Sequence, residues 1–129
     1  MPVQLSDKAV RLIEARNFGF LAVQLPDGSP MVTPVWVDHD GDLILVNTAM
    51  GRVKQKQAAR GRHVSIAIAD TNNMYERITI QGRVLEQTNV GADAHIDKLA
   101  NKYTGAKKYE RSSPNEKRVI IKIEPVRII

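Results

Sequence analysis

Short apolar-rich segments bounded by turn residues recur along this chain, and that pattern predicts β-strands. Six segments are predicted as strands, 18–25, 31–37, 42–48, 63–69, 75–87 and 117–124, and residues 63–69 alternate between apolar and polar positions. Turn residues such as Pro26-Asp27-Gly28-Ser29 and Asp40-Gly41 separate neighbouring segments and are typical of tight connections. Pro34 predicts an edge strand, a bulge or a strand that leaves its partner there. Gly82 predicts a bulge in the longest strand.

Three other segments have helical spacing of their apolar residues: 7–16, 52–60 and 91–103. Ser6 is expected to cap the first, Gly61 to end the second and Asn89 to cap the third. The last strand is expected to end before Pro125. The predicted order is helix, three strands, helix, two strands, helix, strand. Because tight turns join most strands, this order favours an antiparallel sheet or small barrel over a doubly wound fold.

The composition is that of an ordinary globular domain. The chain has 129 residues, of which 43% are hydrophobic and 26% charged, so we expect one domain over residues 1–129. No apolar run approaches the ~18 residues that cross a bilayer, and the first residues lack an apolar signal core, which predicts a cytoplasmic protein. The absence of cysteine and the wide spacing of the three histidines predict no metal site.

Positive charge is concentrated in one window of the sequence. The net charge is +5, and no acidic residue lies between Asp42 and Asp70. Five cations fall in that window: Arg52, Lys54, Lys56, Arg60 and Arg62. Such a cluster is either a solvated helix face or a binding site for an anion.

The turn within this window favours the anion site. A strand ends in small residues, Gly51 permits a tight turn, and a helix follows. Free backbone N–H groups and the positive end of a helix dipole attract anions at such a turn. Arg52 can donate two parallel hydrogen bonds to a phosphate, and Lys54 adds a point charge. The segment matches neither a Walker loop nor the glycine fingerprint of dinucleotide sites.

Short motifs in the same order along nearly the whole chain resemble the pyridoxamine-phosphate-oxidase-like split barrels, in particular the small branch that uses the deazaflavin coenzyme F-420. They are residues 20–23 (FLAV), 26–28 (PDG), 34–37 (PVWV), 40–42 (DGD), 47–54 (NTAMGRVK), 64–67 (VSIA) and 99–105 (LANKYTG). The resemblance implies a mainly β split barrel of antiparallel strands with two to three helices. The longer C-terminal tail of true pyridoxamine phosphate oxidases is missing, so we do not expect their reaction.

The resemblance also implies a homodimer with two cofactors at its interface. The cofactor phosphate would contact Gly51, Arg52 and Lys54. The ring system would lie along Val35, Trp36 and Val37, near Asn47 and Thr48. Members of this kind transfer hydride between reduced F-420 and a small organic acceptor, so no conventional catalytic residue is expected.

A second basic cluster follows the third helix. Lys107 and Lys108 could bind the oligoglutamate tail of F-420, or they could be solvated. FMN also presents a phosphate, so an FMN-dependent oxidoreductase on the same fold stays open, as does a non-catalytic protein that binds a flavin or a tetrapyrrole. Aromatic residues are few (5%) and recognition motifs are absent, which argues against nucleic acid as a partner.

Overall fold

A computed structural model describes residues 2–129, and within them the chain forms seven strands and three helices. The strands are β1 (Gly19–Gln24), β2 (Pro30–Val35), β3 (Val37–Asp40), β4 (Leu43–Ala49), β5 (His63–Asp70), β6 (Asn73–Thr88) and β7 (Arg118–Ile128). The helices are α1 (Asp7–Glu14), α2 (Val53–Gln57) and α3 (Ala92–Thr104). The expected class, mainly β with antiparallel strands and a few helices, is confirmed.

The order of the strands explains why the sheet is curled. It runs β2-β1-β5-β6-β7-β4-β3, and every pairing is antiparallel. β2 and β3 are at opposite edges, yet only Trp36 separates them in sequence. The sheet must therefore curl until its two edges meet at Trp36, which gives a split barrel.

The predicted single strand over residues 31–37 is wrong, because the chain passes from one edge of the sheet to the other at Trp36. Pro34 does lie on an edge strand, paired with Phe20, as its missing N–H predicts.

Alternate residues of the strands fill the barrel. Ile44, Ile66, Ile68, Ile80 and Ile121 are almost fully buried. One face of α1 covers the end of this core with Ala9, Leu12 and Ile13. The side-chain oxygen of Ser6 accepts a hydrogen bond from the N–H of Ala9 at 3.1 Å, so the predicted helix start is confirmed.

Gly82 marks the predicted bulge, and it changes the end of the chain. The pairing of β6 with β7 shifts register between Gln81 and Gly82, and Gly82 faces Pro125. A Cβ atom on Gly82 would lie 2.6 Å from Cγ2 of Ile123, so only glycine fits there. The expected strand end before Pro125 is wrong, since β7 continues to Ile128. A proline is tolerated in the strand because the ladder is already interrupted at the bulge.

Two helix boundaries also differ from expectation. α2 has five residues instead of nine, and none of them is buried; the helix ends at Ala58, which packs into the barrel core with a φ of −90° and a ψ of 45°. Asn89 does not cap α3 with its side chain, which instead donates to the backbone oxygen of Arg118 at 2.7 Å. Gly91 takes the N-cap position with a φ of 74°. Among residues 2–129 no helix is long and apolar enough to span a membrane.

Candidate functional site

A cavity of about 180 Å³ opens beside the junction of β2 and β3. Side chains from both sides of the split barrel line it: Phe18, Pro34, Val35, Trp36, Asn47, Arg52, Lys54, Ile96, Tyr109 and Arg118. Five of these residues are ones that the sequence predicts for a cofactor site: Val35, Trp36, Asn47, Arg52 and Lys54. The fold therefore brings the predicted apolar and cationic parts into one cavity.

Three cations converge on this cavity, namely Arg52, Lys54 and Arg118. Within residues 2–129, none of the side chains that line it is acidic. Glu116 lies behind the arginines, 3.1 Å from Arg118 and 3.7 Å from Arg52. Burial lowers the pKa of Lys54, and the charges of Arg52 and Arg118 lower it further. The single carboxylate thus leaves positive charge uncompensated, and an anion in the cavity would be stabilised.

The structure places the glycine turn next to the cavity but leaves Gly51 outside the cavity lining. Gly51 has a φ of 93°, which confirms that the turn needs glycine. Its N–H, however, donates to Oε1 of Gln55 at 2.9 Å, and Gly51 lies outside the cavity lining. The N–H of Arg52 is bonded to the backbone oxygen of Ala49. Arg52, Lys54 and Arg118 line the cavity with their side chains, whereas the N–H groups of Gly51 and Arg52 are already hydrogen-bonded within the turn.

Trp36 forms one fixed wall of the cavity. Its ring stacks on that of Tyr103, with centroids 5.2 Å apart and planes 5° apart. The edge of Tyr109 meets it at 6.1 Å. Val37, which the resemblance places along the ring, has its side chain in the barrel core. Its backbone N–H donates to the Tyr103 hydroxyl at 3.1 Å, so Val37 supports the wall without lining the cavity.

The polar residues predicted on β4 are already engaged or buried. The Asn47 amide bonds the backbone oxygen of Ala92 at 2.9 Å, Nδ1 of His95 at 3.1 Å and Nε of Arg118 at 3.0 Å. Thr48 is fully buried and does not line the cavity. Asn47 therefore lines the cavity with its amide already bonded to protein groups, and Thr48 lies outside the lining.

The second basic cluster is separate from the cavity. Lys107 and Lys108 are exposed and do not line it. Lys102 donates to the backbone oxygens of Ile13 and Val37. Arg111 pairs with two carboxylates on α3, Asp93 and Asp97. Only the two lysines of this loop thus remain as candidates for contacting the tail of a ligand.

Sequence reasoning misses Arg118. Arg118 is buried at the start of β7, and its guanidinium carbon lies 4.8 Å from the centre of the Tyr109 ring. It is 71 positions from Asn47, its hydrogen-bond partner. A basic residue before an apolar strand resembles an ordinary strand start, and only the barrel closure brings it to the cavity.

Comparisons with known proteins agree with this architecture. A family model described as pyridoxamine 5'-phosphate oxidase matches residues 5–129. No curated protein matches the chain. Among solved structures, an F420 reductase is 25% identical with a TM-score of 0.81, covering 97% of this chain and 98% of its own.

Two more distant structures share the fold. A conserved hypothetical protein of Mycobacterium tuberculosis is 20% identical with a TM-score of 0.70, and the match covers 98% of this chain and 84% of its own. General stress protein 26 of Bacillus anthracis is 18% identical with a TM-score of 0.67, covering 95% and 89%. With a family match over nearly its whole length, the chain belongs to the pyridoxamine 5'-phosphate oxidase family of split barrels, which binds flavins and includes oxidoreductases.

Proposed function

We propose that this protein is an oxidoreductase that binds coenzyme F-420 and transfers hydride between it and a small organic acceptor. The observation that carries the proposal is the convergence of Arg52, Lys54 and Arg118 on one cavity beside the wall of Trp36. The similarity to an F420 reductase over nearly the full length of both chains supports the choice of a deazaflavin.

The cavity fits the phosphate end of such a cofactor better than its ring. Charge-assisted hydrogen bonds from arginine and lysine suit a phosphate. Pockets for whole small ligands, however, usually enclose about 300–1,000 Å³, and this cavity has about 180 Å³. Further surface is needed to enclose the ring, and we propose that a second copy of the chain supplies it.

The outer face of the sheet suits such a homodimer. Residues on β1, β2 and β5 that point away from the core are mostly apolar or small: Phe20, Ala22, Val32, Pro34, Ser65 and Ala67. Val32 is 61% exposed and Phe20 is 38% exposed. A shallow groove of about 650 Å³ extends this face across β6 and β7. Pro34 also lines the cavity, so a partner on this face would lie next to the cofactor.

The protein's part in the reaction is binding and orientation. The deazaflavin ring supplies the carbon that gives or takes hydride. Arg52 and Lys54 would bind the phosphate and so fix the cofactor along the barrel. Trp36 and Tyr109, whose rings meet edge to face, would form an apolar wall that keeps water from the ring.

FMN is the alternative cofactor, and one observation favours it. Lys107 and Lys108 lie outside the cavity, so the structure gives the glutamate tail of F-420 no enclosed site. An FMN phosphate would meet the same cations. A protein that only stores either cofactor would show binding without hydride transfer.

Equilibrium binding of F-420, FMN and FAD to the purified protein, followed by fluorescence, tests the proposal. We expect F-420 to bind most tightly, and we expect the bound reduced cofactor to be oxidised when a suitable acceptor is added. Tighter binding of FMN would move the assignment to the FMN alternative. Absence of binding by all three would overturn the proposed function.

A further inference from the structure

A row of polar side chains leads from the cavity to the protein surface. Nε of Arg118 donates to Oδ1 of Asn47 at 3.0 Å, and Nδ2 of Asn47 lies 3.1 Å from Nδ1 of His95. Nε2 of His95 lies 3.1 Å from Oδ2 of Asp38, which also accepts from Lys98 at 3.2 Å. The side chains of Arg118, His95 and Asp38 are 2%, 9% and 15% exposed. The row joins four elements: β7, β4, α3 and β3.

The chemistry of the groups fixes the direction of each hydrogen bond. An arginine Nε can only donate, so the Asn47 oxygen must face Arg118. The Asn47 amide nitrogen then donates to the backbone oxygen of Ala92 and to His95. Because that nitrogen has no acceptor capacity, Nδ1 of His95 must accept and its proton must be on Nε2. The carboxylate of Asp38 accepts the hydrogen bond from this Nε2–H.

This arrangement explains how a buried guanidinium keeps one orientation. Besides Asn47, the contacts of the Arg118 side chain are Glu116 at 3.1 Å and the Tyr109 ring. Arginine carries five N–H donors, and the hydrogen bonds to Asn47 and Glu116 use only two of them among residues 2–129. The other N–H donors of this buried guanidinium belong to a side chain that lines the cavity.

We infer that Arg118 is a third anion-binding residue of the cavity, and that His95 is a positioning residue that orients Arg118 through Asn47. The inference rests on the proposed function for its phosphorylated ligand. His95 does not line the cavity, so it acts only through its neighbour. The Asn47 amide then belongs to the support of the site and does not itself contact the ligand.

Two substitutions of His95 separate positioning from packing. His95→Gln keeps an oxygen that accepts from Asn47 and an N–H that donates to Asp38. His95→Phe keeps a ring of similar size but makes neither bond. His39→Phe is the matched control, because His39 also pairs with a carboxylate, Glu14 at 2.9 Å, and does not line the cavity.

The first measurement is the affinity for FMN and for riboflavin, which lacks the phosphate. We expect His95→Phe to weaken FMN binding about two- to tenfold, in line with one lost hydrogen bond. His95→Gln and His39→Phe should bind FMN like the parent protein, and riboflavin should bind all four alike. The positioning role would be overturned if His95→Gln and His95→Phe lost FMN affinity equally. It would also be overturned if His95→Phe lost affinity for FMN and for riboflavin equally.

The second measurement does not depend on a flavin. Nitrogen NMR should show His95 with a bare Nδ1 and a protonated Nε2, and inorganic phosphate should shift the Nε–H signal of Arg118. If His95→Phe needs about two- to tenfold more phosphate than the parent and His95→Gln to give the same shift, the inference holds even where no flavin binds and the proposed function fails. A proton on Nδ1 of neutral His95 would contradict the inference.

Arg118 is tested directly by Arg118→Met together with Glu116→Gln, which avoids leaving Glu116 buried beside a missing partner. We expect this pair to bind FMN about ten- to a hundredfold more weakly, while Glu116→Gln alone retains binding. Unchanged FMN affinity in a folded double variant would show that Arg118 contacts no anion.

Discussion

The ring of Trp36 stacks almost parallel on the ring of Tyr103, with centroids 5.2 Å apart. Trp36 is the one residue between the two edge strands, so this contact fastens the point where the barrel is split. The Tyr103 hydroxyl accepts from the N–H of Val37 at 3.1 Å and donates to the backbone oxygen of Asn17 at 2.6 Å. One tyrosine of α3 therefore stabilises both the junction and the segment that follows α1.

Tyr103→Phe should destabilise the fold. The change keeps the stacked ring but leaves the backbone groups of Val37 and Asn17 without their partner, at a cost of about 1–3 kcal/mol. Chemical denaturation measures the free energy of unfolding. Tyr75→Phe is the control, since Tyr75 is 87% exposed and its loss of a hydroxyl should change little. Equal stability of the two variants would contradict the role assigned to Tyr103.

Asp38 should make the stability depend on acid pH. Burial raises its pKa, but hydrogen bonds from His95 and the backbone of His39, with the hydrogen bond and charge of Lys98, hold the pKa well below its usual value. A carboxyl whose pKa is depressed by folding stabilises the protein above its unfolded pKa, about 3.9, and this stabilisation is lost as the pH falls. The parent should therefore be more stable than Asp38→Asn at neutral pH, and the difference should shrink below about pH 4.

Unfolding free energies measured at several pH values check this expectation. Asp93→Asn serves as the control, because the Asp93 side chain is 74% exposed. A difference between the parent and Asp38→Asn that stays constant down to acid pH would show that Asp38 keeps its ordinary pKa in the folded protein.

Lys107 and Lys108 provide a test of the choice of cofactor. If the glutamate tail of F-420 follows this loop, changing both lysines to alanine should narrow the preference for F-420 over FMN. Exposed ion pairs contribute only about 0.2–1 kcal/mol each, so the expected change is a few-fold, and added salt should reduce it further. If neither added salt nor the double substitution changes the preference for F-420 over FMN, the tail does not contact this loop.

The proposed homodimer can be tested on the outer face of the sheet. Val32→Arg should leave a species of 14.4 kDa in sedimentation at micromolar concentration, where the parent should be twice that mass, because burying an unpaired charge opposes association. Val90→Arg is the matched control, since Val90 is 84% exposed in a turn. If the parent protein binds the cofactor as a monomer, a second copy of the chain is not part of the site.

The sequence predicts most of this fold because its signals are local. The alternation along β5, the Ser6 cap and the bulge at Gly82 depend on neighbouring residues, and the structure confirms them. The change of sheet edge at Trp36 is not local, since it depends on how all seven strands close. The continuation of β7 through Pro125 likewise depends on the partner strand, where Gly82 provides the bulge.

The candidate site likewise has residues that local sequence signals predict and residues that they do not. Arg52 and Lys54 belong to a continuous motif, and the structure places both in the cavity. Arg118 lies on β7 and His95 on α3, both far along the chain from this motif. No spacing in the sequence therefore predicts their place near it. Asn47 is predicted as a ligand from its place in the motif, but its amide is bonded to three protein groups.

Arg52 is the residue proposed to bind the phosphate of the cofactor. The most direct measurement compares Arg52→Ala with the parent for FMN against riboflavin, and for F-420 against its phosphate-free analogue. Arg60→Ala is the control, because Arg60 is an exposed arginine of the same basic window that does not line the cavity. We predict that Arg52→Ala weakens the affinity for the phosphorylated ligands about ten- to a hundredfold, as expected for a lost charge-assisted hydrogen bond. Its affinity for the ligands without phosphate, and all affinities of Arg60→Ala, should be unchanged. Equal weakening of ligands with and without phosphate would contradict the account.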